Sequence, residues 1–196
     1  MKIKIPFALL LLNCVCAIAQ AQFADCMLFD AYQKENMQVW ADYLNSSSFS
    51  SLTTTEQHRY LDYEYGYTAA AIDMNRADAM QRLDSFALHI EQASSTLPSA
   101  TILAYRSALA AYRVKVRQST ISNALRSFRY AEQAYEADSL NPLAITMQGN
   151  IRYFAPGILG GNKKKAQHYF LRAAQIYRQT TDTTCSWQYH LLRQWE

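Results

Sequence analysis

The chain has 196 residues, half of them hydrophobic and only 18% charged, which supports one domain with a sizeable core and excludes a long disordered polyelectrolyte. Five glycines and four prolines are too few for many short strands joined by turns, so long helices are expected. The formal charge of +3 counts Lys2 and Lys4; without the first 21 residues it falls to about +1, too weak a field to recruit nucleic acid or a membrane surface.

The chain opens on a basic Met1-Lys2-Ile3-Lys4, continues in an apolar run from Phe7 to Ile18 interrupted by Asn13, and reaches two A-x-A patterns, Ala17-Ile18-Ala19 and Ala19-Gln20-Ala21. This predicts a secretory signal peptide over 1–21 and export of a single domain over 22–196. An uncleaved anchor is the competing reading, but the run is shorter than the roughly 20 residues a spanning helix needs. Lipid attachment at Cys14 or Cys16 is a third, with Asn13 and Val15 poor residues to precede a lipidated cysteine. No later segment is apolar enough to span, so no stable membrane insertion is expected after cleavage.

Two cysteines remain, Cys26 and Cys185. Export permits a disulfide, and one closing nearly the whole domain would contribute on the order of 4–5 kcal/mol in the chain-entropy model. Against it, a linear stack of helices holds its ends apart, while a bridge needs Cα atoms within about 7 Å. Both outcomes stay open on sequence alone.

A first helix is expected over 25–44, with Leu28, Phe29, Tyr32, Val39, Trp40 and Tyr43 at helical spacing. A serine/threonine linker from Asn45 to Thr55 ends in Thr53-x-x-Glu56, a capping box for a helix over 56–73. Asn75 is placed to cap a helix over 76–93. Pro98 suits the first turn of a helix over 98–116, and Ser119 or Thr120 caps the next, to about 137. Asn141-Pro142 reads as a cap with proline at the first helical position, opening a helix to Tyr153. A glycine-rich loop from Ala155 leads to Asn162, the cap of a helix over 163–179, and a final helix covers about 185–195. Short connections make these helices antiparallel neighbours, in hairpins about 56–93, 98–137 and 142–179 that recur every 43 residues or so.

Within the hairpins Ala124, Phe128 and Ala131 share the spacing of Ala166, Phe170 and Ala173, with Asn141, Pro142 and Gly149 between them and Pro156, Gly160 and Gly161 in the last loop. This small-large-small pattern resembles the second helix of a tetratricopeptide repeat (TPR). The stretch from Gly149 through Pro156 and GILGGNKKKAQHYFLRAA is similar to exported TPR-like proteins of Bacteroidetes, and more weakly to the TPR-type periplasmic partners of TRAP transporters. The resemblance implies an all-α α-solenoid of about three TPR-like hairpins, with an extra N-terminal and a short C-terminal helix, and a binding or scaffolding role.

No motif points to catalysis. His58, His89, His168 and His190 form no HExxH or i, i+4 pair, so no metal or other cofactor is expected. There is no G-x-S-x-G elbow, and Gly157 with Lys163 fails the spacing of a phosphate-binding loop. Two surfaces are candidates for a partner. In TPR folds the first helices of hairpins line a concave groove, which by resemblance would carry Tyr63, Tyr67, Tyr105 and Tyr112 beside Arg106 and Arg113. Lys163, Lys164 and Lys165 at a helix start oppose the dipole and would suit an acidic partner or anion; solvated lysines are the plainer reading. The functional expectation is an exported adaptor holding a protein or peptide, with delivery of a small ligand to a transporter as the alternative.

Overall fold

The computed structural model describes residues 22–196, in which every regular element is a helix. The leader reading, with Cys14 and Cys16, falls on residues 1–21 and lies outside these. The helices are α1 (22–33), α2 (Met37–Asn45), α3 (Thr54–Asp73), α4 (Ala79–Gln92), α5 (Ser99–Lys115), α6 (Thr120–Ala137), α7 (Pro142–Phe154), α8 (Lys163–Thr180) and α9 (Trp187–Leu192). Single 3₁₀ turns follow α2, α4, α7 and α9. None of these helices is long and apolar enough to cross a membrane.

Local signals set most of the starts. Thr53 and Glu56 form the expected capping box on α3. Asn141 Oδ1 accepts from the backbone N–H of Leu143 (3.0 Å) and Ala144 (3.1 Å), with Pro142 at the first position of α7. Asn162 Oδ1 accepts from Lys165 N–H (2.9 Å) at the start of α8. Pro98 stands one residue outside α5 rather than in its first turn.

The helix expected over 25–44 is two helices. Asn36 N–H closes onto Ala31 O (2.8 Å) with Glu35 at φ 55°, which ends α1; Trp40 Nε1 then donates to Leu28 O (2.7 Å) and folds α2 back against it. The same closure ends α3 and α5, through Arg76 N–H to Ala71 O (2.9 Å) with Asn75 at φ 51°, and Gln118 N–H to Arg113 O (2.8 Å) with Arg117 at φ 61°. Asn75 thus terminates α3 instead of capping α4, whose flanking residue is Asp78.

The hairpins α3–α4, α5–α6 and α7–α8 form as expected, and the last two are the most closely packed. Small residues explain why. Ser107 and Ser127 each donate to the other's backbone carbonyl at 2.9 Å across α5 and α6, an approach that larger side chains would forbid. Ala131, Ala166, Phe170 and Ala173 are buried, Ala124 and Phe128 half-buried. Gly149 faces the ring of Phe170, which fills the space a Cβ would take. Gly160 takes φ 87°, and a Cβ on Gly161 would strike the Ala155 carbonyl.

The two ends of the described chain meet. After α8 the backbone returns to α1, where Cys26 and Cys185 form a disulfide with Cα atoms 4.8 Å apart. Gln22 Nε2 donates to Asp182 (2.9 Å) and Gln188 Nε2 to Asp62 (2.9 Å). The expectation that a stack of hairpins separates its ends fails because α9 is an independent segment that bridges α8 to the N-terminal helices.

Candidate functional site

The tyrosines expected in a groove are core residues instead. Tyr63, Tyr67 and Tyr105 are buried and Tyr112 half-buried. Each hydroxyl is engaged internally: Tyr63 to Asp25 (3.1 Å), Tyr67 to Asp78 (2.6 Å), Tyr105 to Asp62 (2.5 Å) and Tyr112 to the Tyr65 carbonyl (3.0 Å). Burial, then the adjoining carboxylates, raises the phenol pKa of Tyr63 and Tyr105, so these groups stay neutral donors. Arg106 is held in a two-point pair by Glu91 (2.9 and 3.2 Å), and Arg113 lies half-buried on α5. These six residues do not make one open binding face. Aromatic content and helical spacing could not separate a groove lining from hairpin packing.

Trp187 of α9 fills the space in front of α3. It packs edge-on to Trp40 (ring centroids 5.5 Å) and tilted on Tyr65 (5.8 Å), and Gly66 makes room for it: a Cβ there would come within 2.9 Å of the Trp187 ring and 2.7 Å of Trp40. The indole N–H of Trp187 is buried without an acceptor.

An open cleft lies where α1 and the α9 segment meet, lined by Phe29, Tyr32, Gln33, Glu35, His190 and Arg193. Its position follows from the fold: Phe29 and Tyr32 come from the last turns of α1, and the disulfide brings α9 against them. The imidazole of His190 lies over the Phe29 ring at 4.5 Å, and Tyr32 stacks near Phe29 at 6.2 Å. Partial burial, then the neighbouring Arg193 guanidinium, holds the His190 pKa below the ordinary 6.5 against a backbone contact with Thr183. The ring is therefore neutral at neutral pH and carries a free electron pair. Arg193 is exposed beside it. Phe29 is itself buried beneath the imidazole, so the cleft joins the half-buried Tyr32 ring, a neutral imidazole and a guanidinium, suited in turn to a flat apolar ligand, a metal centre and a carboxylate. Among the described residues no group of three His, Cys, Asp or Glu side chains gathers to hold a bare metal ion. Sequence reasoning passed over His190 because its partners on α1 lie at the other end of the chain.

Lys163, Lys164 and Lys165 are exposed, and Lys163 Nζ lies over the Tyr153 ring at 5.5 Å.

No family model and no curated relative matches the chain. Among solved structures it is similar to the HusA haemophore from Porphyromonas gingivalis, at 20% identity, covering 83% of this chain and 90% of that one with a TM-score of 0.58. That likeness establishes a shared all-helical fold.

Proposed function

We propose that this is an exported, non-catalytic binding protein built on TPR-like hairpins that carries a small planar ligand, haem being the candidate, in the α1–α9 cleft. The observation that carries the reading is the set Phe29, Tyr32, His190 and Arg193 in one open cleft. The half-buried Tyr32 ring would meet the macrocycle face, neutral His190, backed by the buried Phe29 ring, would supply a nitrogen ligand to the iron, and Arg193 would meet a propionate. The similar protein's description as a haemophore supports it. The small-ligand reading displaces the peptide-groove reading because the tyrosines that were to line that groove are spent on internal hydrogen bonds.

Absorption titration of the purified protein with haem tests it. A saturable Soret shift is expected, lost with His190→Ala, and weakened about tenfold with Arg193→Gln. A titration identical in wild type and His190→Ala would contradict the assignment.

A further inference from the structure

The hairpins place their internal turns along one edge. Lys115 at the end of α5 pairs with Asp73 at the end of α3, while Asn141 at the start of α7 donates to Thr101 Oγ1 near the start of α5 (3.0 Å). Helices α3, α5 and α7 therefore run parallel, and the α3–α4, α5–α6 and α7–α8 turns share a side. This edge exposes large apolar side chains: Ile121 (79%), Phe154 (77%), Ile158 (94%) and Leu159 (61%). Their exposure is built in. The turn carrying Ile158 and Leu159 is closed by Gly161 N–H to Pro156 O (3.0 Å) and Asn162 N–H to Arg152 O (2.7 Å), so neither side chain reaches the core.

Lys163, Lys164 and Lys165 follow directly, exposed, and among the described residues none of them forms an ion pair. They oppose the α8 dipole with no carboxylate to compensate, Lys163 resting only on the Tyr153 ring. The nearby acids on this edge are engaged, Asp73 by Lys115 and Asp78 by Tyr67 and Arg76. The small net charge of the whole chain conceals this local asymmetry.

We propose that this edge docks on an anionic lipid bilayer, with Ile158 and Leu159 entering the acyl boundary and Lys163, Lys164 and Lys165 meeting lipid phosphates. An exposed apolar turn followed by three exposed lysines enters a fluid anionic interface directly, whereas a protein partner would need a matching pocket. The inference does not depend on the ligand reading.

Vesicle co-sedimentation tests it, using protein exported and processed by the cell, with phosphatidylcholine alone and with about 30% phosphatidylglycerol added. Pelleting with the anionic vesicles is expected, weaker at high salt. Ile158→Asp with Leu159→Asp should lower apparent affinity at least tenfold or so. Changing all three lysines to glutamine should lower it about 100-fold and remove the preference for anionic lipid. All five side chains are exposed, so the variants keep the wild-type melting temperature; if one does not, Ile158→Ser and Lys164→Gln take its place. Absence of pelleting with either vesicle, including capture by an acidic protein alone, overturns the proposal. So does pelleting unchanged in both variants.

Discussion

Gly149 and Gly66 are each required by an aromatic ring, but only one of them was legible. Gly149 stands between the two copies of the small-large-small pattern, and its partner Phe170 belongs to the second copy in the same hairpin. Gly66 makes room for Trp187, which reaches it from the far end of the chain, so no local pattern marks it. Alanine at either position should destabilise the protein by about 1–3 kcal/mol through overpacking, measured by denaturant unfolding; an unchanged midpoint would mean that the rings shift freely. Glu64 is a second residue that periodicity could not place. It is fully buried, with both oxygens on His89 Nδ1 at 2.9 and 3.0 Å, and burial raises its pKa against the pull of His89. Glu64→Ala leaves His89 without its partner and should cost on the order of 3 kcal/mol, while Glu64→Gln keeps a hydrogen-bonding group and costs less. For His190 the lowered pKa sets a pH dependence. Protonation removes the electron pair, and partial burial and then Arg193 resist protonation, with the Glu35 side chain also lining the cleft. Haem binding should persist through neutral pH and fall with acid, with its midpoint below 6.5. A midpoint above that value would contradict a neutral His190 as the ligand.

At the scale of elements, starts were more readable than ends. Thr53 with Glu56, Asn141 with Pro142, and Asn162 carry their chemistry in adjacent residues, and each caps its helix as the local pattern predicts. The ends of α1, α3 and α5 use Glu35, Asn75 and Arg117 at positive φ where glycine would have announced the stop. This is why 25–44 read as one helix. The α9 segment was legible as a helix but not in its destination. Its short length gives little intrinsic stability, so tertiary contacts and the Cys26–Cys185 bridge hold it in place. Replacing both cysteines by serine should lower global stability by on the order of 4–5 kcal/mol in the chain-entropy model. Hydrogen exchange should show α9 amides losing protection before those of the tightly packed α5–α6 hairpin. Uniform loss across the chain would show that α9 is not a separately held unit.

For the whole molecule, helical class and hairpin order followed from scarce breakers and regular spacing, because those depend on neighbours in sequence. Closure did not, because it depends on residues brought together from opposite ends. The site shares that fate: Phe29 and Tyr32 come from α1, His190 and Arg193 from the α9 segment and its last turn, and the cleft exists only once the ends join. The expected groove tyrosines became the polar lining of packed helices for the complementary reason, since α9 and its Trp187 occupy the space before α3. The most direct measurement is an NMR chemical-shift map of the protein titrated with a diamagnetic gallium protoporphyrin. The account predicts perturbations centred on Phe29, Tyr32, His190 and Arg193. Perturbations centred instead on Tyr63, Tyr105 and Tyr112, or none at saturating ligand, would contradict it.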